Sequence, residues 1–197
     1  MKKYIHIFML ALLLAGMALT LPFFHSCEEL YDDVLRVHIR ANSDSAADQS
    51  LKLAVRDRVL SECSRYYADC ADKDDALAVT RAVLPQIKKA AEQEVRAHGC
   101  TYPVRAELAR MRFDTRYYED FTMPAGEYDA LRLTIGEGEG QNWWCVMYPS
   151  LCVGACAQSE MQERLDDGEY SVVTADRLDL RFKLVEVFED IRAWFCG

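Results

Sequence analysis

No part of the chain restricts its fold more than residues 124–152, PAGEYDALRLTIGEGEGQNWWCVMYPSLC. Leu131, Leu133 and Ile135 alternate with Ala130, Arg132 and Thr134, the period of a strand with one face buried and the other partly wet. The glycines of Gly136-Glu137-Gly138-Glu139-Gly140 permit positive φ, so a chain reversal is expected there, with residues 143–148 returning antiparallel against the first strand. Phosphate binding by this glycine-rich run is disfavoured: no lysine accompanies it, no helix follows, and Glu137 and Glu139 repel an anion. Trp143 and Trp144 must point to opposite faces of a strand. One ring can then enter the core while the other stays near the surface as a contact anchor, unless the chain's own helices cover both.

Upstream, residues 34–41 repeat the strand pattern, with Leu35, Val37 and Ile39 facing one way and Arg36, His38 and Arg40 the other. Ser45, followed three residues later by Asp48, predicts the start of a helix running to about residue 67. Its buried stripe is Leu51, Val55, Val59 and Cys63. A second helical stretch runs from Asp72 to a cap at Gly99, kinked or divided by Pro85. Strand periodicity returns over residues 102–113, and the aromatic, acidic run at 113–121 suits either a partner surface or, for Tyr117, the core. Residues 153–169 read as an acidic linker and 170–173 as a brief strand. Leu184, Val187, Ile191 and Phe195 mark a terminal amphipathic helix whose apolar face is expected to cover the sheet; a membrane or a partner helix is the alternative, but Glu186, Glu189 and Asp190 argue against an anionic lipid surface, so membrane contact is expected only through the N-terminal segment.

The first 26 residues carry Lys2 and Lys3, then an apolar run over residues 4–21 and no acid, which fits either a secretory signal or an uncleaved membrane anchor. The two lysines place the start of the chain on the cytoplasmic side and the body outside. Setting those residues aside changes the chain's net charge of −9 to −11 for the body, which disfavours nucleic acid and other polyanions. Eight cysteines suit an oxidising exterior. Without a C-x-x-C, or a histidine at ligand spacing beside Cys145 and Cys152, a zinc site is disfavoured, and neither metal nor cofactor is expected. Cys27, Cys63, Cys70, Cys100, Cys156 and Cys196 cannot be paired from sequence.

His38, Asn42, Ser43, Asp44 and Asp48 form the chain's one concentration of histidine and carboxylates. A secreted hydrolase would have to use His38, Asp44 and Asp48, but a strand-to-helix turn explains the same residues as caps. No G-x-S-x-G or Asp-Thr/Ser-Gly triplet supports hydrolysis. No catalytic residue is assigned. A structural envelope protein is a further alternative, which a cleavable signal in place of residues 1–26 would test.

The strings RVHIRANSDSAADQSLKLAVRDRVL and GEYDALRLTIGEGEGQNWWCVMYPSLC resemble the stage II sporulation protein R family over roughly residues 34–152, with a weaker echo in RFKLVEVF. The resemblance implies a signalling protein without catalysis of its own. Such a protein is exported from the forespore into the space between two membranes, where it activates a membrane-embedded aspartic protease that processes the sporulation sigma factor precursor pro-sigma-E. It also implies a disulfide between Cys145 and Cys152. The partner surface is expected at the strand pair, with Trp143 or Trp144 as anchor and Arg132, Glu137, Glu139 and Asn142 around it. The expected fold is α+β: a small, mostly antiparallel sheet with helices packed on one face, preceded by an N-terminal signal or anchor helix. The expected divisions are 1–26 (leader), 28–152 (the sporulation protein R-like domain) and 153–197 (acidic linker and terminal helix).

Overall fold

The computed structural model describes residues 2–149, 162–176 and 179–196 and has the expected mixture of helices with a small sheet. Two compact units emerge from the contacts. One comprises residues 33–111 and 127–164, the other residues 1–32, 112–126 and 165–197.

The first unit is built on β1 (Leu35–Arg40), one of the two inner strands of a four-stranded sheet in the order β2-β5-β1-β6, where β2 is Val104–Phe113, β5 Gly126–Ile135 and β6 Asn142–Tyr148. β5 and β6 are therefore not neighbours, which corrects the expected hairpin. β1 lies between them, parallel to β5 and antiparallel to β6. The loop over residues 136–141 shows why. Glu139 N–H donates to the Asn42 carbonyl at 3.1 Å and Gly140 N–H to the Ala41 carbonyl at 3.0 Å, so the glycine-rich run crosses the end of β1 and delivers β6 to its far edge. Gly136 (φ +58°) and Gly138 (φ +69°) supply the left-handed turns this path needs. On the other side, ion pairs Arg110–Asp129 and Glu107–Arg132 link β2 and β5 with positions running in opposite senses, as between antiparallel neighbours.

Helices α2 (Ala46–Tyr67) and α3 (Lys73–Ala97) pack on each other and against one face of β1. The expected stripe of Leu51, Val55, Val59 and Cys63 is buried, and α3 runs unbroken through Pro85. The opposite face of β1 is not wet as its charges suggested: Arg36 is 0% and His38 3% exposed. An inner strand has neighbours on both edges, and Arg36 adds a guanidinium 4.9 Å from the centre of the Tyr128 ring.

In the second unit, α1 (Lys2–Asp33) is one helix that contains Pro22 and extends well beyond the apolar run. Phe23, Cys27, Leu30 and Tyr31 are buried, and the Tyr31 hydroxyl donates to the Ala125 carbonyl at 2.6 Å. β3 (Arg116–Tyr117) pairs with β4 (Thr122–Met123) in a two-stranded ribbon, and Tyr117 is exposed rather than in the core. Residues 170–173, expected as a strand, belong to helix α4 (Asp167–Val173), closed by a capping box between Asp166 and Glu169.

The terminal helix α5 (Leu180–Cys196) requires a second correction. It belongs to this unit rather than to the sheet layer, and its buried side is Phe182, Val185 and Glu189. The apolar stripe expected to be covered, Leu184, Val187, Ile191 and Phe195, is exposed at 48%, 55%, 52% and 74%.

Candidate functional site

Register across the sheet brings several of the singled-out residues into one row. His38 on β1 lies opposite Arg132 of β5 on one side and Trp144 of β6 on the other. The imidazole stacks on the Trp144 ring with centroids 3.9 Å apart and planes 7° from parallel. His38 Nε2 shares a 2.7 Å hydrogen bond with Asn142 Oδ1, two residues along β6 from Trp144 and on the same face. Arg132 reaches Glu107 of β2 at 3.5 Å, so the row ends in an ion pair. Arg40, opposite Thr134 and Asn142, continues the cationic character of this face.

Trp143 points the other way, toward the helices, where the Arg56 guanidinium of α2 lies 5.2 Å from its ring centre. The two indoles are thus split between the faces as expected, each half-buried. Glu137 and Glu139 are exposed in the loop at the end of the strands. Arg132, Asn142 and Trp144 come together, with the glutamates at the rim and Trp143 apart. His38 joins the group in a role sequence reasoning missed, because only register reveals that it lies between Arg132 and Trp144.

The histidine and carboxylate string is dispersed into structural ties. Asp48 Oδ2 accepts from Asn42 Nδ2 at 2.8 Å and from the Ser43 hydroxyl at 2.6 Å, while Ser45 Oγ caps the Asp48 N–H at 3.1 Å. Asp44 Oδ1 accepts from the Gln141 N–H at 2.7 Å, and Asn42 Oδ1 from the Glu137 N–H at 3.1 Å. These bonds join the β1–α2 turn to the 136–141 loop. The Ser43 and Asn42 donors hold the Asp48 carboxyl below its ordinary value. It is an ionised acceptor rather than a proton donor, while His38 commits Nε2 to Asn142. Among the described residues no cluster of three or more His, Cys, Asp or Glu side chains is placed to hold a metal.

Asp48→Asn is expected to destabilise the fold by about 1–2 kcal/mol at neutral pH, by weakening two hydrogen bonds to a charged acceptor. A depressed folded-state pKa contributes stability that is complete above the ordinary value of 3.8 and is lost as pH falls through the lower folded value. The gap between wild type and variant in urea unfolding should therefore close in that acid window. A gap that stays constant down to full protonation contradicts the assignment.

Cys145 is buried and takes part in a disulfide, whereas Cys152 and Cys156 lie outside the described residues. Cys27, Cys63 and Cys70 are buried free thiols, and Cys100 is free and partly exposed. Burial pushes the Cys63 thiol up to about 12, which suppresses thiolate chemistry there.

The family model for stage II sporulation protein R matches residues 31–158. The stage II sporulation protein R of Bacillus subtilis (strain 168) is 36% identical over 140 residues, which cover 71% of this chain and 62% of that relative. The chain therefore matches less than two thirds of the relative's length. No solved structure matches.

Proposed function

The chain belongs to the stage II sporulation protein R family, a family of sporulation proteins, and from that premise we propose that it is an exported signal that activates a membrane-embedded protease. In this reading the body lies between the forespore and mother-cell membranes, beyond a signal or anchor formed by the apolar part of α1. It performs no bond cleavage. It binds the extracytoplasmic face of an aspartic protease, which then removes the pro-sequence of pro-sigma-E. The Cys145–Cys152 disulfide belongs to the same proposal, closing the chain directly after β6 in an oxidising compartment.

The observation that carries the site assignment is the Arg132–His38–Trp144 row. It offers one half-exposed indole on a flat aromatic partner, with an arginine to one side and Glu137 and Glu139 at the rim, the mixture from which interface hot spots are built. Binding activates only if the receptor's active arrangement presents the better complement. Moving a receptor from 1:99 to 99:1 requires about 5.5 kcal/mol of differential affinity, within reach of a few buried aromatic and arginine contacts.

Trp144→Ala is expected to lower pro-sigma-E processing at limiting signal about 10-fold or more, by about 2 kcal/mol of lost anchor contact. Trp143→Ala, on the helix face, is expected to reduce stability and leave processing by the remaining folded protein near normal. Processing in sporulating cells, normalised to secreted folded protein by circular dichroism, reads both. Undiminished processing with Trp144→Ala removes this surface from consideration.

A further inference from the structure

α5 is amphipathic in an unusual sense, because two opposite sides of it are apolar. Phe182 and Val185 are each 1% exposed and face the interior of their unit. Leu180, Leu184, Val187, Phe188, Ile191, Trp194 and Phe195 follow one another at spacings of three and four or adjacent to such positions, and are 46–78% exposed. Helical geometry gathers them into one stripe. A soluble surface rarely leaves so many large apolar side chains together in water.

The neighbour of this stripe indicates what covers it. Phe24 of α1 meets Phe188 edge-to-face at 5.6 Å, and Phe23 meets Phe182 at 5.3 Å. Adjacent residues of α1 thus reach residues that a rise of 1.5 Å each separates by about 9 Å on α5, the pattern of a helix laid across α1 rather than alongside it. Immediately before Phe23, α1 exposes Tyr4, Ile5, Ile7, Phe8, Met9, Leu10, Leu14, Leu19 and Leu21. Residues 4–21 span about 27 Å as a helix, close to the hydrocarbon thickness of a bilayer. If that run crosses the membrane, Phe23 and Phe24 sit at its surface, and the helix crossing them lies in the plane of that surface.

We propose that α5 is a membrane-interfacial helix that beds its Leu184–Val187–Phe188–Ile191 stripe and the Trp194 indole into the outer leaflet beside the point where α1 emerges. The proposal rests on the anchor reading of α1 but not on protease activation.

The charges of α5 agree with this placement. Arg181, Lys183 and Arg192 balance Glu186, Glu189 and Asp190. The acids are also engaged: Glu186 with Lys183, Asp190 with Arg112, and Glu189 with Arg192 at 3.2 Å. A helix of zero net charge with neutralised acids needs no anionic lipid and is not repelled by one, so the insertion is apolar and the aromatic end suits the headgroup boundary. The helix lies beyond residue 158, where the match to the family model ends.

The test uses the full chain reconstituted in phosphatidylcholine vesicles, with and without bromine on the acyl chains. Brominated lipid should quench about a third of the emission, the share of Trp194 among three tryptophans, and Trp194→Phe should abolish the quenching. The triple variant Leu184→Glu, Val187→Glu, Ile191→Glu should also lose it while still floating with the vesicles through α1. Flotation without Trp194 quenching in the wild type overturns the proposal and leaves the anchor reading intact, and it does so equally if cross-linking then shows α5 paired with a second copy. Failure of the triple variant to float, with the wild type floating and quenched, shows instead that α5 holds the protein and that α1 does not span.

Discussion

Gly136→Ala is expected to lower the unfolding free energy by about 3 kcal/mol, roughly 1–2 from forcing a non-glycine residue into the left-handed region and the remainder from a broken hydrogen-bonded tie. At φ +58° an added Cβ would lie 2.1 Å from Asn42 Oδ1. That oxygen accepts from the Glu137 N–H, while the amide nitrogen of the same side chain donates to Asp48. Moving Asn42 aside therefore disturbs both ends of the link between the β1–α2 turn and the loop that carries the chain to β6. Gly99→Ala is the control. Its φ is +74° but nothing lies within 4 Å of an added Cβ, so it should cost only about 1 kcal/mol. Equal losses for the two variants in urea unfolding, at unchanged denaturant slope, remove the tie from the explanation.

The same loop marks where sequence stops specifying topology. Alternation in Leu131, Leu133 and Ile135 and in Leu35, Val37 and Ile39 identifies both strands, and the Ser45 and Asp48 cap locates α2, because each signal is local. Strand partnership is not local. Two strands joined by a glycine-rich turn pair by default, and the departure here depends on backbone bonds from Glu139 and Gly140 to the end of a strand about a hundred residues earlier. The burial of Arg36 and His38 follows from that inner position and was invisible for the same reason. The row of Arg132, His38 and Trp144 is likewise a consequence of register, so sequence could name Arg132 and Trp144 but not place His38 between them. In α5 the periodicity marks an amphipathic helix, yet periodicity specifies an apolar side without saying whether protein or lipid covers it. There the smaller stripe of Phe182 and Val185 took the interior.

Asp129→Ala is expected to cost about 3 kcal/mol or more, because it withdraws the carboxylate that a buried cation faces. Lys73 Nζ lies 3.0 Å from Asp129 Oδ2 and its side chain is 8% exposed. It is the first residue of α3, where the helix dipole already disfavours positive charge. Arg110, the other cation near Asp129 at 3.7 Å, is about half exposed and also near Glu127, so it can relax into water. Lys73→Met should cost far less, and the double variant should recover most of what Asp129→Ala loses, since replacing both members of a buried pair with apolar groups is close to neutral. A double variant as unstable as Asp129→Ala means that Asp129 acts through something other than Lys73. Asp129 points to the helix layer, whereas its strand neighbours Ala130 and Arg132 include the one that joins the Trp144 row on the opposite face. If the proposed function holds, the double variant should therefore still support pro-sigma-E processing at wild-type levels per folded molecule. Loss of processing in a well-folded double variant would place the partner surface on the helix side and exclude the Trp144 face.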